Sequence, residues 1–146
     1  MTKIKGKNVL ITGGASGIGK IMGRICLEKG AKNLIVWDVN PTSLEATRLQ
    51  FSTLGNVTTY QVDITNDEAV VETYRQVLNK FERIGVLINC AGIVRGNKTF
   101  NHNTIDDVRL TFNVKVSRRW CFRSKPCNLC STKTRDISAT SLRRRV

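Results

Sequence analysis

NVLITGGASGIG, residues 8–19, joins a short apolar run to a cluster of glycines. The run NVLIT suits a strand covered on both faces, as strands in a parallel sheet are. Beyond the glycines, Ile18, Ile21, Met22, Ile25 and Cys26 recur at helical spacing, and Gly30 is placed to stop the helix. The stretch is therefore read as strand, tight turn and helix. In that setting Gly13, Gly17 and Gly19 let the backbone turn sharply and come close to a phosphate. The helix opening near Gly17 aims unpaired N–H groups and a partial positive charge at the same place.

Downstream the alternation continues without internal repeats. KNLIVW (32–37) reads as a second strand and RIGVLIN (83–89) as a fourth, apolar enough for cover on both faces. NVTTYQV (56–62) is a third, and its alternating pattern suits a sheet margin. Asn40 and Pro41 fit an N-cap and first helical position, opening a helix that carries Leu44, Arg48 and Phe51 and ends before Gly55. Thr65 and Glu68 have capping-box spacing ahead of a stripe of Val70, Tyr74, Val77, Leu78 and Phe81. Thr104 and Asp107 open a last helix, with Ile105, Val108, Phe112 and Val116 along one side. The expected fold class is α/β: a partial Rossmann-like, doubly wound parallel sheet of strand order 3-2-1-4.

An acid completes the glycine signal. Asp38 ends the second strand about 20 residues past the turn, where a carboxylate accepts hydrogen bonds from ribose hydroxyls. Beside the 2′ position it favours a free hydroxyl and repels a phosphate, so NAD is expected over NADP. Lys20 and Lys32 are the cations that would offset this preference.

With these residues in place, residues 1–113 resemble the short-chain dehydrogenase/reductase family. Its glycine pattern T-G-x-x-x-G-x-G is matched by Thr12, Gly13, Gly17 and Gly19. The resemblance implies a cofactor site built from Thr12, Gly13, Ser16, Gly17, Ile18, Gly19 and Asp38, with Asp63 and Ile64 at the adenine. NCAG (89–92) resembles the family's N-N-A-G, Cys90 replacing the second Asn, and implies Asn89, Ala91 and Gly92 along the cofactor's border. Asn113 matches the helix Asn that helps hold a water in the family's proton relay, and is the one catalytic residue carried over. The activity implied is an NAD-dependent oxidoreductase moving a hydride between nicotinamide and a small alcohol or ketone.

That reaction also needs a proton donor or acceptor for the substrate oxygen. In the family a Tyr-x-x-x-Lys and a Ser supply it, the Lys cation lowering the pKa of the tyrosine. The two tyrosines here, Tyr60 and Tyr74, both precede that region. Ser138 and Ser141 lie where a serine would be sought, but no tyrosine follows them and no apolar strand precedes them. The chain alone is therefore expected to be catalytically defective.

The pattern breaks near Val114, which sets expected boundaries of a truncated dinucleotide-binding domain at 1–116 and a basic, poorly ordered tail at 117–146. Residues 1–113 carry a net charge of +4 and residues 114–146 a net charge of +9. Cys26 and Cys90 fall in apolar runs and read as small buried thiols. Cys127 and Cys130 form a single C-x-x-C, with Cys121 upstream and His102 remote, so no metal site is expected. The tail's composition fits an out-of-frame or alternative end to a longer gene. A second reading makes it a basic module for polyanions, and a third gives the fragment no selected role. Nucleic acid and membrane are not expected partners, and the cytoplasm is the expected location. The segments that shape the family's substrate pocket lie past the break, and the helices that usually build its dimers are expected to be only partly present. Ending there would leave VLIN (86–89) as an apolar sheet edge, a source of marginal stability.

Overall fold

The computed structural model describes residues 3–93 and 104–114. Strands β1 (Asn8–Thr12), β2 (Asn33–Asp38), β3 (Val57–Gln61) and β4 (Val86–Asn89) form one parallel sheet in the order β3-β2-β1-β4. Helices α1 (Gly17–Glu28), α2 (Pro41–Phe51) and α3 (Asp67–Phe81) connect the strands, and α4 (Ile105–Phe112) follows β4. This is the expected Rossmann-like arrangement. The register sets Thr12 opposite Trp37 on one side and Asn89 on the other, so the carboxyl ends of three strands finish level.

Alternation along the two central strands divides the core into two layers. Val9, Ile11, Leu34 and Val36 pack with Cys26, Leu27, Leu44 and Phe51 on the side of α1 and α2. Leu10, Ile35 and Trp37 pack with Val62, Ile64, Val70, Tyr74, Val77 and Val114 on the other. Residues 9–11 and 34–37 are all 0% exposed, as a strand buried on both faces requires. β3 and β4 stand at the two margins, and their apolar residues are only half-buried.

The structure moves several helix faces from their expected positions. In α1, Ile18, Ile21 and Ile25 are exposed, whereas Gly19, Gly23, Cys26 and Leu27 are buried. The helix lies close to the sheet on that face: a Cβ on Gly23 would lie 3.1 Å from Leu34 Cδ2, tighter than an ordinary contact. In α2 the buried set is Leu44, Thr47 and Phe51, while Arg48 is exposed and pairs with Glu45. The expected Thr65–Glu68 capping box does not form. Asn66 caps α3, its side chain accepting from Ala69 N at 3.1 Å, because Asp63 Oδ1 already engages the Thr65 amide and hydroxyl at 2.8 and 2.7 Å.

Thr104 and Asp107 do form a reciprocal capping box at α4. That helix turns Leu110, with Val114 beyond it, toward the core and leaves Ile105 and Phe112 exposed. Cys26 is buried, which pushes its thiol pKa up, and Cys90 is half-buried. Val116 and the basic, Cys-containing tail lie outside the described residues.

Thr47 links α2 to the glycine turn. Fully buried, it donates its hydroxyl to Ala15 O at 3.1 Å. Thr47→Val keeps the volume but strands that carbonyl, and is expected to lower unfolding free energy by about 1–3 kcal/mol in urea denaturation.

Candidate functional site

The residues between β1 and α1 leave the sheet by bonding across to β2. The amides of Gly13 and Gly14 both donate to Trp37 O, at 2.7 and 3.3 Å. Gly13 has φ 66°, and a Cβ there would lie 2.6 Å from Ala91 Cα, so this glycine also sets how closely the NCAG segment approaches. Thr12, 1% exposed, holds that segment from below: its hydroxyl oxygen accepts from Cys90 N at 3.2 Å and Ala91 N at 3.3 Å. The turn and the NCAG backbone thus form one rigid ledge.

Asp38 faces the same turn. Its Oδ2 accepts from Ala15 N at 3.1 Å and its Oδ1 from Asn40 N at 3.2 Å, which fixes the carboxylate at the mouth of the turn. The acid and the glycines are therefore brought together as the sequence spacing predicts.

Helix α1 differs from its companions at its first turn. Asn40, Asn66 and Thr104 cap α2, α3 and α4 with their side chains, whereas Ser16 makes no such bond, and no acidic residue lies in the first turn of α1. Its leading N–H groups are left for another acceptor. Gly17, at φ 48°, borders open space, with no atom within 4 Å of the position a Cβ would take. The donor set, the clearance and the adjacent carboxylate fit an adenine dinucleotide, with pyrophosphate on the helix end and ribose on the acid.

The sequence profile of the short chain dehydrogenases matches residues 7–118. This chain belongs to the short chain dehydrogenase family. It is 34% identical over 94 residues to a short chain dehydrogenase/reductase of Colletotrichum higginsianum, covering 64% of this chain and 35% of the relative. It is 33% identical over 105 residues to human short-chain dehydrogenase/reductase 3, covering 71% of this chain and 34% of that protein. An NAD+-bound xylitol dehydrogenase superposes with a TM-score of 0.72 at 27% identity, covering 79% of this chain and 44% of the other. The chain thus spans about a third of the length of these curated relatives.

Other residues that the resemblance assigns in this short chain dehydrogenase family member are arranged as follows. Ile18 and Gly92 are exposed, and Asn89 ends β4 beside Thr12. Ile64 is buried in the second core layer. The Asp63 carboxylate is engaged by Thr65. Asn113 caps the carboxyl end of α4, its amide donating to Arg109 and Leu110 carbonyls. No hydrogen bond among the described residues ties Asp63 or Asn113 to the glycine turn. Burial pushes the Tyr60 phenol up, and Tyr74 packs in the core. Ser138 and Ser141 lie outside the described residues. No helix among the described residues is long and apolar enough to cross a membrane.

Thr47, which supports the turn from α2, has no counterpart in the sequence reading. The available signal was a polar residue at helical spacing between Leu44 and Phe51.

Proposed function

We propose that this chain binds NAD(H) across the glycine turn and, on its own, does not turn over alcohols or ketones. The observation that carries the first part is the Asp38 carboxylate hydrogen-bonded to Ala15 N within the turn, beside a helix end that no side chain caps. Ser16, Gly17, Ile18 and Gly19 would hold the pyrophosphate through backbone N–H groups, with Gly13 setting the approach and Thr12 holding the ledge. Asp38 would accept from the adenosine ribose, Asp63 and Ile64 would border the adenine, and Asn89, Ala91 and Gly92 would border the nicotinamide half. The bound nicotinamide would supply hydride chemistry. Asn113 would take the family's place in the water relay.

The second part rests on residue content. Among 146 residues no Tyr-x-x-x-Lys follows Asn113, so the pair that exchanges the substrate proton in the family has no counterpart in this sequence. Such help is worth about 10²- to 10⁴-fold in rate. The expected setting is cytoplasmic.

Nicotinamide fluorescence titrations with NADH and NADPH, run beside an NADH-linked assay on an alcohol and ketone panel, test both parts. Saturable binding with NADH preferred, and no steady turnover, is the expected result. Sustained turnover abolished by Asn113→Ala would overturn the second part. Asp38→Ala is expected to move the NADPH-to-NADH affinity ratio toward NADPH by about tenfold, because a carboxylate no longer faces the 2′-phosphate. An unchanged ratio would remove Asp38 from the specificity argument.

A further inference from the structure

At the end of the sheet opposite the glycine turn, a cavity of about 300 Å³ lies among Gly6, Lys7 and Asn8 at the start of β1, Lys32 and Asn33 at the start of β2, and Lys80 to Arg83 at the end of α3. One strand length, about 16 Å, separates it from the glycine turn. Four cationic residues are among those lining it, Lys7, Lys32, Lys80 and Arg83, against the single acidic residue Glu82. Among the described residues none of these four is in an ion pair. Lys80 has only a long contact to Thr58 Oγ1, 3.4 Å, and a place over the Phe81 ring. The cluster therefore carries a net positive charge that no ion pair among the described residues offsets.

The walls are fixed rather than loose. Asn33 Nδ2 donates to Asn8 Oδ1 at 2.8 Å, and Asn8 Nδ2 donates to Phe81 O at 3.0 Å and Arg83 O at 2.9 Å. This chain of amides pins the exit of α3 to the feet of β1 and β2. It holds a tight three-residue turn in which Arg83 N donates to Phe81 O and Glu82 sits at φ 57° and ψ −49°. Glu82 is the one non-glycine residue with positive φ among those described. Such a conformation costs about 1–3 kcal/mol and persists only where surrounding bonds impose it. Arg83, which closes this turn, is one of the residues lining the cavity.

We propose that this cavity is a second anion site, which takes a small, multiply charged phosphate species of the size of pyrophosphate. Its lining is polar, its charge is unbalanced, and Arg83 offers the planar fork that suits phosphate oxygens. Its volume sits at the lower end of the range for small-ligand sites, about 300–1,000 Å³.

Isothermal titration of inorganic pyrophosphate into the full chain tests this. Binding is expected to survive Gly17→Asp, which blocks the glycine turn. It is expected to weaken about tenfold or more in the double variant Lys32→Gln/Arg83→Gln, which removes two charge-assisted partners. Glu82→Gln, which removes the opposing carboxylate, is expected to tighten it. Lys32 and Arg83 are exposed, so the double variant should keep the wild-type circular dichroism spectrum and melting curve. The proposal is overturned by no binding at millimolar pyrophosphate, by loss of binding in Gly17→Asp, or by affinity indifferent to the double variant in a folded protein.

Discussion

Gly17→Asp is expected to abolish NADH binding while leaving the protein folded. Space permits the side chain, because no atom lies within 4 Å of where its Cβ would go. The backbone at φ 48° is strained for a non-glycine residue, at about 1–2 kcal/mol. The effect on binding is far larger for two reasons. The new side chain would occupy the open space beside the first turn of α1, where the proposed site places the pyrophosphate. Its carboxylate also places like charge against that pyrophosphate and offers the leading N–H groups of the helix an internal acceptor. Together these should weaken NADH by about two orders of magnitude or more, read by calorimetric titration beside a thermal melt. Unchanged affinity in a folded variant would mean that the dinucleotide does not lie on this helix.

Two residues further on, Gly19→Ala is expected to do the opposite kind of damage. A Cβ at Gly19 would overlap the carbonyl oxygen of Gly13, and that oxygen is backbone in a turn pinned to Trp37 O. A flexible side chain could move aside, but this turn cannot move without giving up its bonds to β2 and its fit against Ala91. The loss should be about 3 kcal/mol or more, a large part of the 5–15 kcal/mol that usually stabilises a domain. Near-ultraviolet circular dichroism should show fixed tertiary packing weakened or lost, and the urea midpoint should fall well below wild type. A midpoint equal to wild type would show that the turn relaxes more freely than its bonding implies. The contrast between these substitutions separates a glycine kept clear for a ligand from one kept for packing.

The layout of the sheet was legible because its signals are local and periodic. NVLIT and KNLIVW are continuous apolar runs, and residues 9–11 and 34–37 are indeed completely buried. NVTTYQV alternates, and β3 stands at the margin. The pairing of Asp38 with the glycine turn followed from spacing, because parallel strands in register finish level and bring β2's last residue beside the loop after β1.

What was not legible depends on distances between elements. Ile18, Ile21 and Ile25 have the stronger apolar pattern, yet α1 buries Gly19, Gly23, Cys26 and Leu27, and at Gly23 the helix comes close to Leu34. Thr47 joins Leu44 and Phe51 on the buried side of α2, where its short hydroxyl reaches Ala15 O. Asn66 supplants Thr65 as a cap because Asp63 captures the Thr65 hydroxyl first. The amide chain from Asn33 through Asn8 to the exit of α3 spans more than seventy positions of sequence, and no local pattern announces it.

Amide chemical-shift mapping of the full chain during titration with NAD tests the central claim most directly. Saturable shifts are expected at residues 13–19, Asp38, Asn40, Ala91 and Gly92, with Lys7, Lys32 and Arg83 unmoved. Saturable shifts confined to other residues, or none at millimolar NAD, would contradict it.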